Sequence, residues 1–167
     1  GGGPAEIISA FHAISNNIDV VLFEKNSKLG GIWNPLSGGA YDHVHMQNSK
    51  YTFYFTSDAY TGESDFLSLN EVHDYLCNFA QKNDIFSRVR FNSLVSSIYK
   101  KNNSWVVEYE KEGKLHIELF DNVIIATGEL WVPRLPLITG LDKFNGEIST
   151  ARSYIRPDRF TGDRVLV

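Results

Sequence analysis

The sequence predicts an α/β fold with a parallel sheet and an inserted antiparallel β-meander. A glycine-rich turn at residues 1–5 leads into a helix-like stretch and then into an apolar run at 20–23. Further along, residues 104–110 and 114–120 alternate apolar and polar side chains on either side of a short turn. Helices between apolar runs are typical of parallel sheets, whereas alternation across a tight turn is typical of antiparallel hairpins.

The first unit is a glycine turn followed by a helix and a strand. Ile7, Phe11 and Ile14 are spaced at i, i+4 and i+7, which predicts a helix over 4–16 with one apolar face. Residues 19–25 then predict a buried strand, because an uninterrupted apolar run is typical of a parallel strand covered on both faces.

The order of turn, helix and strand describes a Rossmann-like unit that binds a dinucleotide. Glycine lets backbone amides approach a pyrophosphate, and the helix behind it directs its positive dipole end at the same anion. Glu24 lies about 20 residues beyond the turn, where this fold places an acid on the ribose hydroxyls. A second glycine pair, Gly30 and Gly31, follows shortly afterwards.

One residue departs from the G-x-G-x-x-G pattern, since Glu6 occupies the position of its third glycine. That glycine normally allows close packing of the helix on the sheet. A carboxylate in the first helical turn is expected to repel a bound pyrophosphate if it faces the site. The alternative is a side chain that faces solvent, away from the site.

The middle of the chain predicts a long loop, a helix and a meander. Residues 34–67 lack periodicity, and loops of this length tend to be functional. Ser68 and Glu71 form a capping box that begins a helix running to about Lys82. The remaining predicted strands lie at 88–92, 94–100, 104–110 and 114–120, the last three forming the meander, with His116 on its solvent face.

Residues 121–128 predict another buried strand that ends in a turn of small residues. Such a turn, at the carboxyl end of a parallel strand, lies where open α/β sheets bind ligands. Thr127 and Gly128 are therefore expected to let the backbone approach a cofactor. Pro133 and Pro136 exclude a helix across the segment that follows.

Composition limits the class of protein. A length of 167 residues corresponds to about one domain, and a net charge of -4 without a basic run argues against nucleic-acid binding. The single cysteine, Cys77, allows neither an intrachain disulfide nor a C-x-x-C pair, which favours a reduced, cytoplasmic location. The sequence has no apolar stretch long enough to span a membrane.

The ends of the sequence predict a chain truncated on both sides. A glycine turn of this kind is normally fed by a strand, and residues 163–167 read as a strand that is just beginning. We therefore expect residues 1–167 to be a cofactor-binding domain with its first strand and a following domain outside the chain. Oligomeric state does not follow from the sequence.

In this order and spacing, the chain resembles the flavin-containing monooxygenases and their Baeyer–Villiger relatives. The resemblance covers nearly the whole length. The residues that carry it are the turn at 1–5, Phe23-Glu24-Lys25, Gly30-Gly31-Ile32-Trp33, Gln47-Asn48-Ser49-Lys50, the helix with Val72 to Ala80, Val89-Arg90-Phe91-Asn92, Ala126-Thr127-Gly128 with Pro133 and Pro136, and Phe144-Asn145-Gly146.

The resemblance implies a Rossmann-like FAD-binding domain and assigns roles to particular residues. The implied cofactor contacts are Gly1, Gly3 and Ala5 on the pyrophosphate, Glu24 on the adenosine ribose, Val95 on the adenine, and Gly31, Trp33, Thr127 and Gly128 near the flavin. Asn48 matches the asparagine that faces the flavin and supports its oxygenated form. The alternative for Asn48 is that its amide only satisfies backbone groups of its loop.

The implied activity is oxygenation of a small molecule, at a nucleophilic nitrogen or sulfur or beside a carbonyl, with hydride supplied by NADPH. The NADPH site is expected outside this chain, and no metal is required. The family signature F-x-G-x-x-x-H carries Thr150 in place of its histidine. The alternative is a degenerate, non-catalytic flavoprotein-like module for binding or assembly. A relative of the disulfide reductases is disfavoured by the missing C-x-x-C pair.

Overall fold

The computed structural model describes residues 1–55 and 58–167. The two helices are α1 (Pro4–Ser15) and α2 (Leu69–Lys82). The strands are β1 (Leu22–Phe23), β2 (Tyr54–Phe55), β3 (Asp58–Ala59), β4 (Val89–Arg90), β5 (Ser93–Lys101), β6 (Ser104–Lys111) and β7 (Lys114–Phe120). Neither helix has the length and apolar run that crossing a membrane would require.

Parallel and antiparallel pairing both occur in this fold. β1 pairs with β4 in parallel, and Leu22 lies opposite Val89. β5, β6 and β7 form an antiparallel meander in that order, with an irregularity in β5 between Val95 and Ser97. The predicted α/β class, with a parallel sheet and an antiparallel meander, is confirmed.

A hydrophobic core lies between the two helices and β1. Helix α1 contributes Ile7 and Ala10, and the ring of its Phe11 lies 5.3 Å from that of Phe79 on α2. The fully buried members of this core also include Leu22, Leu29, Leu67, Val72, Leu76, Ala80 and Ile85. Because Leu22 and Leu29 flank Glu24 in the chain, the same packing that forms the core fixes the position of that acid.

Both predicted helices are confirmed. The apolar spacing at 4–16 corresponds to α1, and the capping box is present at the start of α2. There the Ser68 hydroxyl accepts a hydrogen bond from Glu71 N at 3.5 Å, and the Glu71 carboxylate accepts one from Ser68 N at 2.8 Å. These reciprocal bonds satisfy two amides that the helix itself cannot.

Two predicted strands differ from the structure. Within 19–25 only β1 is a strand, because β4, its hydrogen-bonded partner, is itself two residues long. Residues 121–128 form no strand, and Ile124 and Ile125 are 70% and 71% exposed. Within the described ranges, no backbone hydrogen bond joins 121–128 to a strand, and an apolar run becomes a buried strand only where a neighbour pairs with it.

The meander alternates as predicted, and its apolar side faces outward on β7. Leu115, Ile117 and Leu119 are 63%, 59% and 66% exposed. Glu118, on the opposite face, pairs with Arg90 of β4. The two-residue period of a strand separates the faces but does not determine which one turns inward. His116 is exposed as predicted, and its ring stacks on that of Tyr109.

Candidate functional site

A cleft of about 470 Å³ lies where the glycine turn, the end of β1, the start of β5 and two loops meet. All nine residues that the sequence predicts to bind a cofactor line this cleft. They are Gly1, Gly3, Ala5, Glu24, Gly31, Trp33, Val95, Thr127 and Gly128. The fold thus brings residues that lie far apart in the chain, from Gly1 to Gly128, around one cavity.

The two glycine pairs pack against each other, backbone to backbone. Gly30 N donates a hydrogen bond of 2.7 Å to Gly2 O. Gly31 has a φ of +58°, and a Cβ added there would lie 2.9 Å from Gly3 Cα, closer than real side chains approach a neighbour. Any other residue at Gly31 would push the two turns apart. We call the contact between Gly2, Gly3, Gly30 and Gly31 the glycine junction.

The Glu24 carboxylate holds Gly2 of the glycine junction through a hydrogen bond. Its side chain is buried, with 3% of the residue exposed. The N–H groups of Gly2 and Asn26 donate to different carboxylate oxygens, the second at 2.7 Å. Each oxygen keeps a further lone pair, so the carboxylate can accept hydrogen bonds from ribose hydroxyls while it holds the turn in place.

The start of α1 presents unpaired amides to the cleft. Its N-cap residue, Gly3, provides no capping side chain, and Pro4 occupies the first helical turn. First-turn amides have no acceptor within a helix, and the positive end of the helix dipole lies at the same place. Gly3 and Ala5 both line the cleft, so this wall can bind an anion such as a phosphate.

Glu6 points away from the cleft. Its carboxylate lines a separate groove that is bordered by β1 and residues 121–127, and its Oε2 lies 2.8 Å from Gly1 N. The side chain is 16% exposed. The orientation that faces the pyrophosphate is therefore wrong. The alternative is right that the side chain points away from the site, but the side chain is largely buried and does not face solvent.

Burial controls the charge of Glu6. Removal from water raises the pKa of Glu6 to about 8, with a smaller raising effect from Glu24 and a lowering effect from the Gly1 amino group. At neutral pH the side chain is therefore mostly uncharged. Glu6 is therefore not expected to repel a phosphate in the cleft, because its side chain points elsewhere and is mostly uncharged.

Several further residues of the cleft wall escaped the sequence analysis. Phe23, Leu94 and Leu130 add apolar surface, and Lys25 and Trp131 lie at the rim. Adjacency in sequence was an available signal for the residues that flank Glu24 and Val95. Trp131 gave no such signal, because its place depends on how the chain folds back after Gly128.

Asn48 is not among the residues that line the cleft. It is exposed in a bend, and its loop is anchored by hydrogen bonds from Met46 N to Leu67 O at 2.8 Å and from Lys50 N to Asp65 O at 2.7 Å. Within the part of the chain that the structure describes, the Asn48 side chain makes no hydrogen bond. The alternative role for Asn48, satisfying backbone groups of its loop, therefore has no contact to support it.

Histidine, cysteine and acidic residues do not gather elsewhere into a metal site. Among residues 1–55 and 58–167, no three such side chains are placed to hold an ion. His45 Nδ1 lies 3.1 Å from the backbone oxygen of His43.

Comparison with known proteins gives a consistent set of similarities. The family model described as flavin-binding monooxygenase-like matches residues 1–167. Flavin-containing monooxygenase 5 of Homo sapiens is 31% identical over 184 residues, which cover 100% of this chain and 34% of that protein. The chain thus spans about a third of the length of the curated relatives it matches.

Solved structures share the same architecture. The S-allyl-L-cysteine S-oxygenase of Allium sativum has a TM-score of 0.86 at 21% identity, over 96% of this chain and 42% of that one. This likeness concerns the fold alone. The crystal structure of OTEMO in complex with FAD and NADP has a TM-score of 0.69 at 27% identity, over 88% of this chain and 28% of that one.

The glycine junction predicts unequal costs for two glycine substitutions. Gly113 also has a positive φ, of +71°, but a Cβ there would meet nothing within 4 Å. Gly113→Ala should therefore cost only the strain of the left-handed backbone, about 1–2 kcal/mol. Gly31→Ala adds the collision with Gly3 and should cost about 1–3 kcal/mol more. Urea denaturation of both variants measures the difference, and equal costs would contradict the junction.

The buried Glu6 predicts a pH-dependent stability. With a pKa of about 8 in the folded state against 4.5 ordinarily, the folded protein keeps a proton that the unfolded chain releases as the pH rises between these values. The free energy of unfolding should then fall with rising pH, by at most about 1.4 kcal/mol per unit. Glu6→Gln does not titrate, so it should gain stability relative to the wild type across this window.

The measurement is urea denaturation at pH values within and below the window. Glu129→Gln, an exposed carboxylate at the cleft rim, is the matched control and should show no such trend. A constant difference between Glu6→Gln and the wild type at every pH would show that Glu6 is already charged when folded.

Proposed function

Because the chain belongs to the flavin-binding monooxygenase-like family, we propose that residues 1–167 form the FAD-binding domain of a flavin monooxygenase. The observation that carries the proposal is the convergence of all nine predicted contact residues on one cleft. In this proposal NADPH donates hydride from a site outside the chain. The substrate is a small molecule with a nucleophilic nitrogen or sulfur, or a carbonyl.

The cleft fits the phosphate and ribose parts of FAD. The amides of Gly3 and Ala5 would bind the pyrophosphate at the positive end of α1, and Glu24 would accept hydrogen bonds from the ribose. A Cβ on Gly1 would lie 3.2 Å from Ala126 O. The turn therefore lies close to the 126–128 corner, and a side chain at Gly1 would press on the backbone there.

The remaining walls suit the rings of FAD. Val95 would border the adenine, and Gly31, Trp33 and Thr127 the region of the flavin. When bound, FAD supplies the redox chemistry. The protein would supply position and an apolar surround, to which Phe23 and Leu130 contribute as part of the cleft lining.

Asn48 is proposed as a catalytic residue on its sequence match alone. Its amide can donate one hydrogen bond and accept another, which suits a group that would face the flavin of bound FAD. In the structure its side chain is exposed and has no hydrogen-bonded partner within the described residues, so it is free to contact a ligand or a further part of the protein.

A non-catalytic module is the second candidate. Thr150 replaces the histidine of the family signature, and its N–H bonds to Ser153 Oγ at 2.9 Å in a local turn, which is a structural use of that position. Glu6 does not favour this candidate, because its side chain faces away from the cleft and is not expected to repel a phosphate there. Flavin binding separates the two candidates.

The FAD proposal predicts a yellow protein whose affinity depends on Glu24. Glu24→Gln keeps one acceptor but replaces the other carboxylate oxygen with an amide, so it should weaken FAD binding about tenfold or more. Glu112→Gln, an exposed carboxylate in the turn between β6 and β7, should leave affinity unchanged. Quenching of flavin fluorescence on titration measures both. A colourless protein that stays colourless with added FAD would support the non-catalytic candidate.

The Asn48 proposal predicts a change in coupling. Asn48→Asp removes the amide donor and adds a negative charge, so NADPH should be oxidised with more release of hydrogen peroxide and less oxygenated product. The assay uses the polypeptide that also carries the NADPH site. Asn78→Asp, at an exposed position of α2, is the matched control. Unaltered coupling in Asn48→Asp would remove this residue from the mechanism.

A further inference from the structure

Two cations meet on one aromatic ring at the rim of the cleft. Lys25 Nζ lies 4.3 Å from the centroid of the Trp131 ring, and Arg152 Cζ lies 4.6 Å from it. Both distances are within the range of cation–π attraction. Trp131 itself lines the cleft, and a Cβ on Gly128 would lie 3.1 Å from its Nε1, so the indole is folded back over the small-residue corner.

Neither cation is paired with a carboxylate among the residues the structure describes. Two like charges beside one ring repel each other, so an attraction must keep them there. Among the described residues, the Trp131 ring provides this attraction for Lys25. Arg152 adds one hydrogen bond, from Nη2 to Ser37 O at 3.2 Å.

Arg152 belongs to a segment that is fastened across the loop after Trp33. We call residues 150–156 the strap. Its Arg156 Nε lies 2.8 Å from Asp42 Oδ2, and Asp42 N donates a 3.0 Å hydrogen bond to the carbonyl of the strap residue Ile155. The strap thus has anchors of its own, and Arg152 extends from it to the cleft.

We propose that Lys25 and Arg152 are positioning residues that hold the Trp131 indole across the cleft and so slow the release of the bound nucleotide. Lys25 directly follows Glu24 and the indole lies over Gly128, so this clamp spans the cleft between the proposed ribose contact and the 126–128 corner. The clamp joins three segments that are distant in the chain. Bound FAD leaves only when the indole moves, and the indole moves only when both cations release it. This inference rests on the FAD binding proposed above.

The test measures how fast FAD leaves the protein. FAD-loaded protein is diluted, and the rise in flavin fluorescence gives the dissociation rate. Arg152→Met and Lys25→Met should each release FAD about two to five times faster, the range expected for one partly exposed cation–π contact, and Trp131→Ala at least as fast. Arg159→Met is the matched control, since Arg159 lies in the same terminal region, over Phe160 instead, and should leave the rate unchanged.

Double variants distinguish a clamp from general damage to the fold. If Arg152 acts through the indole, Arg152→Met should add nothing in a Trp131→Ala background, and Trp131→Phe, which keeps a ring face, should release FAD more slowly than Trp131→Ala. The clamp would be overturned if Arg152→Met still accelerated FAD release as much in the Trp131→Ala background as in the wild type. It would also be overturned if the single variants released FAD at the wild-type rate. A wild-type protein that never quenches FAD fluorescence would instead refute the FAD proposal itself.

Discussion

The close approach of two turns that lack side chains is the constraint on which the site depends. Gly31 can lie this close to Gly3 because Gly31 carries no Cβ, and the positive φ of Gly31 would strain any other residue, whereas a Cβ on Gly3 would lie at an ordinary 3.6 Å from Gly31 Cα. With the turns in contact, the amides at the start of α1, the acid at the end of β1 and the second glycine pair border the same space. A bulkier side chain in the junction would separate the parts of the cleft without altering any of them.

Glu24 links this constraint to the hydrophobic core. A buried carboxylate is costly unless it is hydrogen-bonded, and here two backbone amides satisfy it, one of them from the junction. Leu22 and Leu29, both fully buried, hold the backbone on either side of it. The acid therefore has a structural role before any ligand arrives. The two backbone N–H donors explain why so buried a carboxylate is tolerated.

Sequence reasoning succeeded where the signal was local. The apolar spacing of α1 and the capping box of α2 depend on residues a few positions apart, and the hairpin turns follow the same rule. It was wrong for 121–128, because burial of a strand requires a partner that the local sequence does not specify. The alternation in the meander likewise left open which face packs inward, since Leu115 and Glu118 lie on alternate faces in either case. The contact between Trp131, Lys25 and Arg152 had no local signal.

The parallel pairing of β1 with β4 has a consequence for how the chain acquires its structure. These strands lie far apart in sequence, whereas β5, β6 and β7 are joined by short turns. Closing a long loop costs entropy before any contact is gained, and local hairpins form quickly. The meander therefore depends on local contacts, whereas the β1–β4 pair closes a much longer loop and carries the larger entropic cost. The cleft borders both regions, so it is complete only when both have formed.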